Sequence, residues 1–223
     1  MRFAAAIFDL DGTLLDTLDD LAGSANRVLH AFGLPGHPVE SYRYFVGEGM
    51  IRLVERILPA GRRDNAFVAR VAEAFREDYG RHWKDKSRMY NGVPVMLDGL
   101  AADGVKLAIL SNKPHDFTRA CVRDLLPGFE FDPVFGQRPG IPRKPDPAAA
   151  LEIAAILGHD PADILYLGDT ATDMETAVRA GMFAVGALWG FRSREELEQS
   201  GARAVAGRPE DVLQLVRAGA GPA

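Results

Sequence analysis

The chain has 223 residues, 47% of them apolar, and a formal net charge of −5. That length admits one large domain or a core with a smaller insert, with enough apolar residues for a substantial core. The acid excess, with no basic block or Lys/Arg stripe, argues against a nucleic-acid partner, and a single cysteine, Cys121, rules out an internal disulfide and points to the cytoplasm.

Residues 3–8 form a short, unbroken apolar run that ends at Asp9. The run is too short to cross a bilayer. Acids follow it rather than a small-residue cleavage site, so it is not a secretory signal, and no membrane partner is expected. It reads as a buried strand of a parallel sheet. Apolar residues at 18, 21, 22, 25, 28, 29 and 32 then recur at helical spacing, and Gly33 stops them. Pro35, Gly36 and Pro38 mark a loop. Further helices are expected at about 50–58 and 65–83, with no good strand between residues 18 and 90.

The pattern then turns to alternating α/β. Helices are expected from Pro94 to about 102, at 117–125, 147–157, 174–180 and 195–199, and at 210–216. Strands are expected at 105–110, 133–135, 164–167, 183–187 and 204–206. This alternation implies βαβ units and a doubly wound parallel sheet, a Rossmann-like α/β core. The expected division is a core of residues 1–15 and 91–223 and an inserted helical cap of residues 16–90. The Gly/Ala/Pro tail after Arg217 reads as frayed.

Each candidate site follows an expected strand, and in open α/β sheets ligands bind beyond the carboxyl ends of the strands. Asp9 and Asp11 share one face at the end of the first strand, where two carboxylates can converge. Their repulsion is relieved by a divalent cation or a shared proton. Gly12 lets the backbone turn away. Alone, Asp-x-Asp-Gly is a turn about as often as a site. Ser111, Asn112 and Lys113 follow the strand at 105–110, where a hydroxyl, an amide and backbone N–H groups at a helix start suit a phosphate; plain helix capping is the bland alternative. Lys144 sits in the proline-stiffened stretch Arg143-Lys144-Pro145-Asp146-Pro147, which can aim its ammonium at one point, although most lysines are solvated. Asp169 leaves the strand at 164–167. Asp173, four residues on, is either a second acid at the site or a helix cap.

The string Phe8-Asp9-Leu10-Asp11-Gly12-Thr13-Leu14-Leu15-Asp16-Thr17 resembles the first motif of the haloacid dehalogenase superfamily. Ser111 with Asn112 and Lys113, then Lys-Pro-Asp-Pro at Lys144, then Gly-Asp at Asp169 with Asp173, resemble its second to fourth motifs, in order. The resemblance implies a phosphomonoester hydrolase with Asp9 as nucleophile, Asp11 as acid/base, and Ser111 and Lys144 on the phosphoryl oxygens. It implies Mg2+ as cofactor, held by Asp9, Asp169 and the Asp11 carbonyl. Asp173 would support a bound water or Lys144, or reach the metal itself. Thr13, Asn112 and Lys113 are implied phosphate or substrate contacts. Ser-Asn-Lys-Pro, and Gly47, Glu48, Gly49 and Arg52 in the cap, resemble the phosphoglycolate-phosphatase branch, with Arg43, Arg52 and Arg56 available to read a small acid.

The implied partner is a small phosphorylated metabolite; the sequence does not specify an oligomeric state. A β-phosphoglucomutase-like isomerase on the same scaffold is the alternative. A non-catalytic binding module has no reason to keep Asp9, Asp11 and Lys144 together.

Overall fold

The computed structural model describes residues 3–219. Six parallel strands form one sheet in the order β5-β4-β1-β6-β7-β8: β1 (Ala5–Phe8), β4 (Lys106–Pro114), β5 (Val134–Gln137), β6 (Ile164–Gly168), β7 (Phe183–Ala187) and β8 (Ala204–Ala206). The chain leaves β1 toward β4 and β5 on one side, then crosses back to β6, β7 and β8 on the other. The strand order therefore reverses at β1, and the residues just beyond it face the crevice of an open α/β sheet.

All four residues of β1 are buried because both faces of the sheet are covered. Ala6 and Phe8 join the core under α5 (Val93–Ala102) and α10 (Pro209–Arg217). Ala5 and Ile7 join the opposite core under α7 (Ala148–Leu157) and α8 (Ala171–Ala180). This alternation across a two-sided strand explains an unbroken apolar run.

The helices α1 (Leu18–Ala31), α2 (Tyr42–Phe45), α3 (Met50–Ile57) and α4 (Asn65–His82) lie between β1 and β4 in sequence. The segment is entered and left through a two-stranded antiparallel ribbon, β2 (Leu15–Asp16) with β3 (Arg88–Met89). Buried Asp20 reinforces that neck, accepting hydrogen bonds from Ser87 N–H (2.8 Å) and Ser87 Oγ (2.7 Å). The β3 strand corrects the expectation of no strand between residues 18 and 90: two residues are too few to leave a period in the sequence.

A second correction concerns Ser111 to Lys113. β4 runs through them to Pro114, and α6 (His115–Leu125) begins only afterwards, so they do not open a helix. The β4–β5 ladder shifts register between Leu110 and Pro114. Such an irregularity re-aims side chains, and here Ser111, Asn112 and Lys113 are all buried. The remaining helices are α9 (Arg194–Gln199) and those already named; among the described residues no helix is long and apolar enough to cross a membrane.

Candidate active site

Asp9 leaves β1 at the switch point and is buried among charges. Lys144 Nζ stands 3.0 Å from Asp9 Oδ1. The approach lacks hydrogen-bond geometry, so Oδ1 has an ionic neighbour but no hydrogen-bond partner. Lys144 is only 5% exposed, so the solvated alternative for this residue fails. Its ammonium donates to Asp173 Oδ1 (2.6 Å) and to the Leu110 carbonyl (3.1 Å).

Asp173 is both cap and site residue. One oxygen takes Lys144; the other accepts from Thr170 N–H (3.1 Å) and Thr170 Oγ1 (2.6 Å) at the start of α8. Asp169 accepts from Thr13 Oγ1 (2.8 Å) and from Phe191 N–H (2.9 Å). Gly12 has φ +87°, and a Cβ there would overlap the Asp169 carboxylate. A Cβ at Gly190 would strike Asp169 from the other side. Two glycines thus let backbone close on one buried acid.

Ligand oxygens of Asp9, Asp169 and Asp173 lie within 4.8 Å of one another, a grouping that can hold a metal ion. The electrostatics fit such an ion. Burial pushes the Asp9 carboxyl up to about 7; Lys144 pulls it down, while Asp173 and Asp11 push it up. Burial, Asp173 and Asp9 together hold Asp169 well above the usual carboxylate range. For Lys144, burial works against the ammonium, but Asp173 and Asp9 outweigh it and raise its pKa well above the ordinary value. One ammonium offsets one of three carboxylates, and Asp9 Oδ1 is left without a hydrogen-bond donor. A dry cluster with that surplus is relieved by a cation with oxygen preference.

Asp11 faces different partners. Lys113 Nζ bridges both its oxygens, at 2.9 and 3.1 Å, and Thr17 Oγ1 donates to Oδ1 at 2.8 Å. Lys113 also donates to Tyr79 Oη of α4 at 2.7 Å. Burial disfavours the Lys113 ammonium, but Asp11 and Tyr79 outweigh it, and its pKa is raised well above the ordinary value.

Asp9, Asp11, Ser111, Asn112 and Lys113 line a cavity of about 50 Å3 with Gly47, Gly49 and Tyr79 of the helical segment. Asn112 ties its walls together: Nδ2 donates to the carbonyls of Gly47 and Lys144, both at 3.1 Å, and Oδ1 accepts from Lys144 N–H at 3.0 Å. Its amide is thus committed to protein backbone rather than to a phosphate.

Three expected substrate contacts do not reach this cavity. Thr13 is held against Asp169. Glu48 pairs with Arg56 on an outer groove that Arg52 and Arg63 share. Arg52 pairs with Glu55 at 2.7 Å and its side chain is 60% exposed. The cause is the face of α3: Leu53, Val54 and Ile57 are buried, and Arg52 falls on the other side. Arg43 donates to the Gly190 carbonyl (2.8 Å) and Arg56 to the Phe45 carbonyl (3.2 Å). Among the described residues lining the cavity, the cations are Lys113 and Arg76, and Arg76 is paired with Asp116 at 2.7 Å near solvent.

Sequence reasoning missed Tyr79, whose spacing is that of a core stripe, and the loop after β7. That loop supplies Phe191 N–H to Asp169, the Trp189 indole N–H to the Thr13 carbonyl (2.9 Å), and Arg192 to the carbonyls of Arg43 and Val46. Gly190 and Trp189 were the available signals, and neither has a strand-end acid beside it.

A family profile, haloacid dehalogenase-like hydrolase, matches residues 6–187, and the chain belongs to that family. Within it the protein is a phosphatase. A phosphoglycolate phosphatase of Aquifex aeolicus is 30% identical over 210 residues, covering 94% of this chain and 95% of the relative. One from Haemophilus influenzae (strain 86-028NP) is 34% identical over 209 residues, covering 89% and 92%. A crystallised protein of Lactobacillus delbrueckii subsp. bulgaricus superposes with a TM-score of 0.90 at 32% identity, covering 97% of this chain and 99% of that one.

Proposed function

We propose that this protein is a Mg2+-dependent phosphomonoesterase that works through an aspartyl phosphate on Asp9, with a phosphoglycolate-like small metabolite as substrate. The observation that carries the reading is Asp9 itself: a buried strand-end carboxylate 3.0 Å from Lys144, opening with Ser111 onto one cavity. Asp9, Asp169 and the backbone carbonyl of Asp11 would hold Mg2+, with Asp173 engaged by Lys144. The ion would neutralise charge on the phosphoryl oxygens and keep Asp9 ionised.

Asp9 attacks phosphorus, the P–O bond to the leaving alcohol breaks, and Asp11 gives that oxygen its proton. Asp11 then takes a proton from the water that hydrolyses the acyl phosphate. Ser111 and Lys144 stabilise the equatorial oxygens. Asp173 fixes Lys144 from below, and Asn112 fixes its backbone. Residues 1–15 and 91–223 act as the catalytic core, and residues 16–90 act as a cap that excludes bulk water. The β2–β3 ribbon through which the helical segment is entered and left supports this division, and the Asn112–Gly47 and Arg43–Gly190 bonds hold the two together.

The test is phosphate release from phosphoglycolate with Mg2+, then with EDTA. Release that EDTA abolishes and Mg2+ restores is expected. No release from any phosphomonoester, or release indifferent to EDTA, contradicts the reading. Return of the phosphoryl to a sugar, instead of release, would favour the isomerase.

A further inference from the structure

The proposed reaction does not account for Lys113. A lysine is rarely buried, because desolvating an ammonium is costly unless it is paired. Lys113 has a side chain 4% exposed, in a cavity whose other walls include Leu21, Val46, Leu53 and Phe75. In such cavities the few polar groups fix ligand orientation. Its ammonium lies 4.8 Å from the Tyr79 ring centroid and donates to the Tyr79 Oη at 2.7 Å. Its remaining partner is the Asp11 carboxylate, bridged through both oxygens.

We infer that Lys113 and the Tyr79 hydroxyl form a seat for a carboxylate on the leaving alcohol of the substrate, which Asp11 fills until substrate arrives. The inference rests on the phosphatase reading and deepens it by naming the residues that would read the carboxylate of a phosphoglycolate-like substrate. The group now in the seat is itself a carboxylate, held at 2.9 and 3.1 Å, which is the geometry an incoming one would take over. The cavity's volume of about 50 Å3 corresponds to on the order of four waters, which suits a two-carbon acid better than a hexose.

Seating the substrate carboxylate frees Asp11 to turn toward the leaving oxygen, with Thr17 still at hand to orient it. A leaving group without charge leaves Asp11 tied to Lys113. Discrimination then shows in kcat as well as in KM, because the charge that recognises the substrate also releases the acid.

Phosphoglycolate and ethyl phosphate differ by a carboxylate in place of a methyl group, so their ratio of kcat/KM reads the seat. The wild-type ratio should be ~10^3 or more, as for sites that lose a buried polar partner. Lys113→Met should reduce that ratio by ~100-fold, and Tyr79→Phe, which keeps the packing, by ~10-fold. If Lys113→Met does not fold, Tyr79→Phe decides alone. Equal losses on both substrates, with the ratio unchanged, would mean that Lys113 and Tyr79 serve only stability or Asp11 placement, and overturn the seat. Equal wild-type rates on the two substrates overturn the seat while leaving the phosphatase reading intact. Release from neither overturns both.

Discussion

Asp9 and Asp11 leave the end of β1 two residues apart, one among carboxylates and the other against an ammonium and a threonine hydroxyl. The partners of Asp9 come from strand-end loops of the sheet: Lys144 after β5, Asp169 and Asp173 after β6. Those of Asp11 are Thr17, just before α1, and Lys113 at the end of β4, whose ammonium also reaches Tyr79 of α4. Two identical side chains are thus placed in different surroundings, and the proposed reaction gives them separate tasks, nucleophile and acid/base. The Asp9 side is built from the strand ends of the sheet. The Asp11 side depends on how the helices sit.

The largest expected effect breaks the Asp9 side. Asp9→Asn removes the attacking oxygen and one charge from the acidic cluster. Steady-state turnover should fall by ~10^4-fold or more, in the range seen when a nucleophile is deleted. Retention within ~10-fold would assign the attack elsewhere. Next comes the strut between the two sides. Asn112→Ala deletes three hydrogen bonds that hold the Lys144 backbone and Gly47. A small displacement of Lys144 should lower kcat by roughly 10- to 100-fold. An unchanged kcat would show that the Asp173 and Leu110 contacts of the Lys144 ammonium suffice to place it.

A subtler effect concerns pH. In the folded protein without metal Asp9 holds its proton to about pH 7, against 3.8 as the ordinary value. Between those values the folded state binds more protons than the unfolded chain. This contribution to stability is complete below about pH 4 and is lost as pH rises through 7. The melting temperature of wild type relative to Asp9→Asn, both in EDTA, should therefore fall across that window. A difference that is flat or rises with pH would contradict the buried, neutral Asp9. The smallest effect is expected at Arg52. It faces away from the cavity, so Arg52→Ala should leave kcat/KM for phosphoglycolate within about twofold. A larger loss would place the outer groove in the catalytic cycle.

The strand ends were readable because a buried strand cut off by Asp is a strong local signal, repeated at Asp9 and Asp169. Lys144 was readable through its prolines, and its depth of burial was not, because nothing local shows that the sheet closes over it. Lys113 was visible as a residue but not as a partner of Asp11, which is 102 positions away. Tyr79 falls in the apolar stripe of α4, where spacing marks it as core and is silent about its hydroxyl. Arg52 reads as a substrate contact from its place beside two glycines, whereas the apolar face of α3 turns it outward. The loop after β7 acts through Phe191 N–H and close backbone approach, which leave little trace in side-chain identity.

The division of labour between the two acids is tested most directly by trapping the intermediate. Asp11→Asn keeps Asp9 and its charged neighbours, and a substrate with a good leaving group, such as p-nitrophenyl phosphate, needs little protonation to transfer its phosphoryl group. Hydrolysis of the acyl phosphate then lacks its base and should be slow. Acid-quenched Asp11→Asn enzyme should carry the mass of one added phosphoryl group, mapped to Asp9, while Asp9→Asn treated alike should carry none. A phosphoryl group on the Asp9→Asn protein, or at any residue other than Asp9 in the Asp11→Asn protein, would contradict the account.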